Sequence, residues 1–476
     1  MSLIRQSSYA AVAALLLTGS RFALSAIVAR RLTEAGFGQF VYAQWLVDIA
    51  FLVCSLGATG AASRYMAEYR GNADRLDAFL LAWRPWALVL PLFAGLGVVL
   101  GAHLSGVELA PAAMLLLALW AVTSGLWAMQ TAGLSGFQRF DLIFLANFLA
   151  ALLMLAGAFW LPLENGNPAP LFGLMAAAAG LAALPGLSQT LKPRSNVTPP
   201  KLPTAELIVI RKYAMNMWLI ALLWALVWSR GEVTIVRYYL GDAGVANYAA
   251  ALTLFSGAVQ GVMLGLAAVA PQLTRLWGEG RQDEAFRTAR NVMDFQLLVC
   301  GMGASVLICL GPELLPLVFG ANYREQSVTL ATLSVGLIAM ALANQNHLLQ
   351  IATDGRFSRN SSIIGLLALV VLAATMAPVA GVEGVAFARL ATVLLLAALS
   401  AYTFYRKWGS SGISIRNLVI VFGLMAGTAF ALAQGGSKDF VVRCLVLPLN
   451  LTCLVLLVRN QEGQSTLLSL VRRVRG

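Results

Sequence analysis

The sequence predicts an all-α polytopic membrane protein of about 14 transmembrane helices, arranged as two pseudo-symmetric parallel-repeat bundles around a central cavity. Three observations predict it. The 476 residues are 59% apolar and only 11% charged, with a mean hydropathy of +0.78, far from the average of soluble domains. Apolar stretches of about 20 residues, the length that spans a hydrocarbon core about 30 Å thick, recur along the whole chain. Finally, Leu32 to Ala43 (LTEAGFGQFVYA) returns 208 positions later at Leu240 to Ala251 (LGDAGVANYAAA).

The apolar stretches centre near residues 17, 51, 91, 120, 151, 180, 224, 259, 301, 340, 369, 394, 424 and 449. The first lacks a convincing processing site and runs straight on to Arg30-Arg31, so it is kept as helix one rather than as a cleaved leader. Each copy of the repeat lies between two apolar stretches and reads as a helix–turn–helix. In it acid replaces acid (Glu34, Asp242), amide replaces amide (Gln39, Asn247) and aromatic replaces aromatic (Phe40, Tyr248). A second echo, Leu134 to Phe140 (LSGFQRF), returns 217 positions on as Ile351 to Phe357 (IATDGRF). Between the halves lies the chain's one extended polar linker, Lys192 to Glu206, whose prolines forbid a helix.

The sequence therefore divides into a six-helix bundle over 1–191, a cytoplasmic linker over 192–206, a second six-helix bundle over 207–407, and a two-helix hairpin with a basic cytoplasmic tail over 408–476. Duplicated halves of this parallel kind are common in membrane transporters, with the substrate path between them. The tail, Leu467 to Arg475, is either an amphipathic turn on the anionic inner leaflet or a basic end without structure.

The net charge of +12 follows membrane topology and does not point to nucleic acid. With the N-terminus inside, only Arg30, Arg31, Arg237, Arg324, Lys438 and Arg443 fall outside, and Arg21, Arg230 and Arg389 fall within helices. Every other lysine and arginine lies inside. That asymmetry places both termini in the cytoplasm. Cys54, Cys300, Cys309, Cys444 and Cys453 all sit in apolar segments without metal-like spacing, so no metal or cofactor is expected. Connections are short, which argues against an enzyme with a soluble catalytic domain.

Ionisable groups deep in a bilayer cost about 2.5–3.5 kcal/mol each on insertion scales, so each one is a candidate for function. Arg21 lies about 13 Å below the outer end of its helix, and Asp48 about 15 Å below the same side. Either Arg21 holds an anionic group that Asp48 tunes or gates, or the two form a self-satisfying buried pair. By the 208 offset Arg21 corresponds to Ser229, one position from Arg230, so each half places a guanidinium in its first helix at nearly the same height. Glu232, about 200° around that helix from Arg230, is a coupling site or the partner of another helix. Arg389 is a third candidate cation, or an arginine snorkelling to the interface. Asn344, Gln345, Asn346 and His347, together with Gln130 in the corresponding region of the first half, are candidates for lining the cavity, and His347 for proton coupling. The bland reading is interhelical hydrogen bonding. Two guanidiniums against a single acid make an anion site, and the planar fork of arginine suits phosphate or pyrophosphate.

Two groups of segments carry a family resemblance. Ala29 to Ala43 (ARRLTEAGFGQFVYA) and Leu56 to Gly71 (LGATGAASRYMAEYRG) resemble the N-terminal signature of the polysaccharide exporter family of oligosaccharide flippases, in the multidrug/oligosaccharidyl-lipid/polysaccharide superfamily. Leu314 to Gly336, Ala352 to Asn360 and Gly381 to Thr392 resemble its C-terminal half. The resemblance implies a bacterial inner-membrane flippase that carries undecaprenyl-diphosphate-linked oligosaccharide units by alternating access for O-antigen, capsule or exopolysaccharide assembly. It further implies contact with membrane lipids, and a polysaccharide polymerase and chain-length regulator as partners. Cavity cations of that family fit Arg21 and Arg230 here. The sparse acids depart from the drug-extruding branch. Rival expectations are a peptidoglycan-precursor flippase, a multidrug antiporter, a membrane glycosyltransferase or polymerase, and a non-transporting scaffold.

Overall fold

The computed structural model describes residues 3–163, 166–190, 201–266, 269–343, 345–353, 355–409 and 415–434, together with 447 and 450. Among these residues all regular structure is helical: α1 (Leu3–Arg31), α2 (Glu34–Cys54), α3 (Ala58–Glu68), α4 (Ala73–Leu104), α5 (Pro111–Gly136), α6 (Phe140–Trp160), α7 (Ala169–Thr190), α8 (Thr204–Trp224), α9 (Val233–Leu266), α10 (Val269–Gly278), α11 (Gln282–Phe319), α12 (Ser327–Ala343), α13 (Gln345–Ala352), α14 (Arg356–Trp408) and α15 (Ile415–Gln434). The chain is a multi-pass membrane protein. It forms two compact units, Met1–Ala246 and the residues from Asn247 onward.

Both copies of the sequence repeat contain an interruption of helix at the same position. α1 and α2 meet at a turn where extended Thr33 (φ −66°, ψ 161°) caps α2 by accepting a hydrogen bond from the Gly36 amide, with Glu34 favourably placed in the first turn. At the corresponding position of the second copy, Gly241 (φ 70°, ψ −169°) interrupts α9 and separates Val233–Leu240 from Asp242–Leu266. The second echo is likewise a turn between helices, with left-handed Gln138 (φ 55°) in one copy and Gly355 (φ 78°) in the other. A third correspondence was not read from the sequence: α3 carries the i,i+4 ion pair Arg64–Glu68 at 3.7 Å, and Arg275 near the end of α10 pairs with Glu279 just beyond it at 3.6 Å.

Fourteen crossing helices were expected, and nine among the described residues are long and apolar enough to cross a membrane. Five of the fourteen are missing from that set. The stretches centred near 259, 340 and 424 form α9, α12 and α15, which fall outside the nine. The stretches centred near 369 and 394 are fused into α14, which is non-helical only at Ala380 and Gly381. The stretch centred near 449 lies outside the described residues, as does the basic tail.

In the first unit α5 packs on α7 and α4, and α1 on α6. Its centre holds the ring series Phe40, Trp120 and Phe172, with successive centroids 6.0 Å apart. In the second unit α12 packs between α11 and α14 around buried Leu315, Leu330 and Ala373.

Two contacts fix the end of the first unit that carries the α1–α2 turn. Arg31 donates to the carbonyls of Phe159 (2.9 Å) and Leu161 (2.8 Å), satisfying the C-terminus of α6. Arg31→Ala should lower stability by about 1 kcal/mol, read as a lower thermal midpoint of the purified protein in detergent. On the other side of the turn Arg237 pairs with Asp242 (2.7 Å), lies over the Tyr42 ring (4.5 Å) and donates to the Ser105 carbonyl (3.1 Å).

Candidate functional site

α1 and α2 share a turn and then diverge, because α1 packs on α6 whereas α2 packs on α4. Arg21 is ten residues from the end of α1, about 15 Å at 1.5 Å per residue. Gln44 lies about 15 Å into α2 and Asp48 about 21 Å, one turn apart on the same face. Arg21 and Asp48 are both exposed although each is deep within a membrane-length helix.

The third group comes from the break after α8. The last turn, Ala225–Ser229, widens to a π-turn and ends at Arg230 (φ −140°, ψ 27°). Gly231 follows because a Cβ there would lie 2.0 Å from the Leu226 carbonyl oxygen. Such widened turns recur at functional sites. The break turns Arg230 toward α2, where it donates to Gln44 Oε1 at 3.5 Å. Beside it Trp45 Nε1 donates to Thr234 Oγ1 at 3.0 Å, so successive residues of α2 hold both sides of the break. The Asp48 carboxylate lies within electrostatic range of both Arg21 and Arg230. The accessible face thus presents two guanidiniums, one carboxylate and one amide, with an excess of positive charge.

The remaining expected site residues are placed as follows. Glu232 was expected about 200° around one helix from Arg230; the break puts it instead at the head of the next helical segment, 0% exposed. Gln130, expected on a cavity wall, is buried between α5 and α7, where its Oε1 accepts from the Thr190 hydroxyl at 2.7 Å. Arg389 belongs to the second unit and is 4% exposed, its guanidinium 5.9 Å from the Phe255 ring centroid. Asn344 lies outside the described residues, as do the side chains of Gln345, Asn346 and His347. Trp218, which was not among the expected site residues, donates to the Leu52 carbonyl at 3.0 Å and joins α8 to α2. Gln44 was missed from the sequence, although its i,i+4 spacing to Asp48 signals a shared face. Among the described residues no group of His, Cys, Asp and Glu could hold a metal ion.

Comparison with known proteins gives a family and a fold. A family model described as polysaccharide biosynthesis protein matches residues 3–277. No curated protein matches the chain. Among solved structures, an inward closed conformation of the lipid II flippase MurJ superposes with a TM-score of 0.69 at 12% identity, covering 94% of this chain and 97% of that one. An inward-facing multidrug resistance MATE family transporter of the MOP superfamily superposes with a TM-score of 0.68 at 15% identity, covering 82% and 94%. An outward-facing one gives 0.57 at 14% identity, covering 85% and 94%.

Proposed function

The chain belongs to the polysaccharide biosynthesis protein family, and from that premise we propose that it is a flippase of the bacterial inner membrane. It moves undecaprenyl-diphosphate-linked oligosaccharide units from the cytoplasmic to the periplasmic leaflet for assembly of a surface polysaccharide such as O-antigen, capsule or exopolysaccharide. Both termini are cytoplasmic, and a polysaccharide polymerase and a chain-length regulator act beside it.

The observation that carries this reading is the convergence of Arg21 and Arg230 on Asp48 in accessible space deep between α1, α2 and the break after α8. An isolated self-satisfied pair would need one cation. Two guanidiniums in the neighbourhood of one carboxylate leave donors for the paired phosphates of a diphosphate. Gln44 accepts from Arg230, and a bound diphosphate competes with Asp48 for the two guanidiniums. Cargo that binds the two transport states unequally shifts their populations and so moves across.

Purified protein in vesicles loaded on one leaflet with undecaprenyl-diphosphate oligosaccharide should bring the glycan to the opposite leaflet, read with an impermeant glycosidase. Transport of lipid II instead, the ligand named for the MurJ neighbour, would replace the proposed cargo with a peptidoglycan precursor. Movement of neither, with extrusion of a cationic drug, would contradict the reading.

A further inference from the structure

The first turns of α9 lie along α2. Successive contacts run along the seam: Gly38 with the Asp242 backbone, Tyr42 with Arg237, and Trp45 with Thr234. The last, furthest from the α1–α2 turn, joins an unequal pair. Trp45 is 4% exposed, and its Nε1–H donates to the hydroxyl oxygen of Thr234, which is exposed.

A threonine within a helix can return its hydroxyl proton to the carbonyl three or four residues back. Thr123, Thr375, Thr392 and Thr403 all do so, at 3.0, 2.9, 2.8 and 2.8 Å. Thr234 does not. The carbonyl four residues back belongs to Arg230, which the break has turned out of the helix (φ −140°, ψ 27°) and which accepts instead from the Val233 amide at 3.1 Å. Among the described residues the Thr234 hydroxyl proton has no acceptor. Its oxygen is fixed by a buried indole and its proton is left for a ligand.

Position ties this donor to the headgroup site. Each residue of α2 turns about 100°, so Asp48 projects between Gln44 and Trp45, about 40° from the first and about 60° from the second. Along the axis it stands about 4.5 Å beyond Trp45. Arg230 on Gln44 and Thr234 on Trp45 therefore flank the face of α2 that carries Asp48. Glu232, two residues before Thr234, is 0% exposed and lies on the packed side of the segment.

We propose that Thr234 is a third ligand of the cargo headgroup: its hydroxyl donates to a phosphate oxygen beside Arg230, and Trp45 is the positioning residue that orients it. The inference rests on the flippase reading and adds a neutral donor to the two guanidiniums.

The test measures binding of undecaprenyl diphosphate to the purified full-length protein by native mass spectrometry. Thr234→Val keeps the shape of the side chain and removes the hydroxyl. It should weaken binding about tenfold, the worth of one hydrogen bond to a charged group, whereas Thr234→Ser should bind like the unaltered protein. Because Thr234→Val also strands the buried indole donor, both substitutions are repeated on Trp45→Phe, which has no N–H to strand. There Thr234→Val should still bind more weakly than Thr234→Ser, and Trp45→Phe should itself cost affinity only while the Thr234 hydroxyl is present. With the native cysteines replaced, undecaprenyl diphosphate should slow maleimide labelling of Thr234→Cys several-fold, and undecaprenol, which lacks the phosphates, should not. Equal affinity of Thr234→Val and Thr234→Ser on Trp45→Phe, or labelling that ignores bound undecaprenyl diphosphate, overturns the role of Thr234 and leaves the flippase reading standing. Absence of undecaprenyl diphosphate binding to the unaltered protein overturns both.

Discussion

Replacing Arg21 and Arg230 together with alanine should abolish surface polysaccharide while the protein still inserts and unfolds at its usual temperature. Each guanidinium–phosphate contact is a charge-assisted hydrogen bond worth about 1.5–3 kcal/mol. Since 1.4 kcal/mol is a factor of ten, loss of both lowers headgroup affinity by about 10²–10⁴-fold. Each single variant should keep part of the activity, because Asp48 and the remaining arginine are left as a pair. Arg230→Lys should recover only part of the loss, since an ammonium keeps the charge but not the planar fork that meets Gln44 and phosphate. Stability is spared because Arg21 is exposed and Arg230 half-buried, so neither truncation leaves a cavity in the core. The readouts are flipping in vesicles and glycan display in cells. Unchanged rates with both arginines gone would contradict the mechanism.

The largest structural effect should come from Gly38→Ala. A Cβ at this position would stand 1.8 Å from the Asp242 carbonyl oxygen and 2.6 Å from its carbon. That backbone has little room to yield, since the Asp242 side chain is tied to Arg237, which is itself held by Tyr42 and Ser105. Overpacking against a fixed neighbour costs about 1–3 kcal/mol. Because α2 would have to shift as a rigid rod, the displacement reaches Gln44 and Asp48 on the same helix. Gly38→Ala should therefore lower both the thermal midpoint and the transport rate. Arg237→Ala in the same chain frees the Asp242 backbone and should restore part of the rate. An unchanged midpoint for Gly38→Ala would mean that the two turns are not in firm contact.

Much of the fold was legible because charge and apolarity act locally. The helix–turn–helix repeat, the second echo and the rarity of intramembrane charge all follow from residue type, and they picked out Arg21, Asp48 and Arg230. What was not legible depends on which way a helix faces. Gln44 and Gln130 are the same residue type in similar apolar surroundings, yet one supports Arg230 and the other bonds Thr190 in a packed seam. Packing partners decide between them, and no spacing in a single chain reports those. The break at Arg230 and Gly231 was hidden for a related reason: Leu226 to Ser229 carry no helix breaker, and the glycine alone does not distinguish a kink from a tolerated helical residue. The same break removes Glu232 from the helix on which its angular position had been reckoned.

Direct binding of undecaprenyl diphosphate to the purified full-length protein, compared across three variants by native mass spectrometry, bears most closely on the idea that an excess of positive charge holds the cargo. Asp48→Asn should bind more tightly than the unaltered protein, because a competing anion is gone. The Arg21→Ala, Arg230→Ala double variant should bind about 10²–10⁴-fold more weakly, and Gln44→Ala should fall between the double variant and the unaltered protein. Equal affinity in all of them would place the headgroup elsewhere and reduce Arg21, Asp48 and Arg230 to a packing cluster.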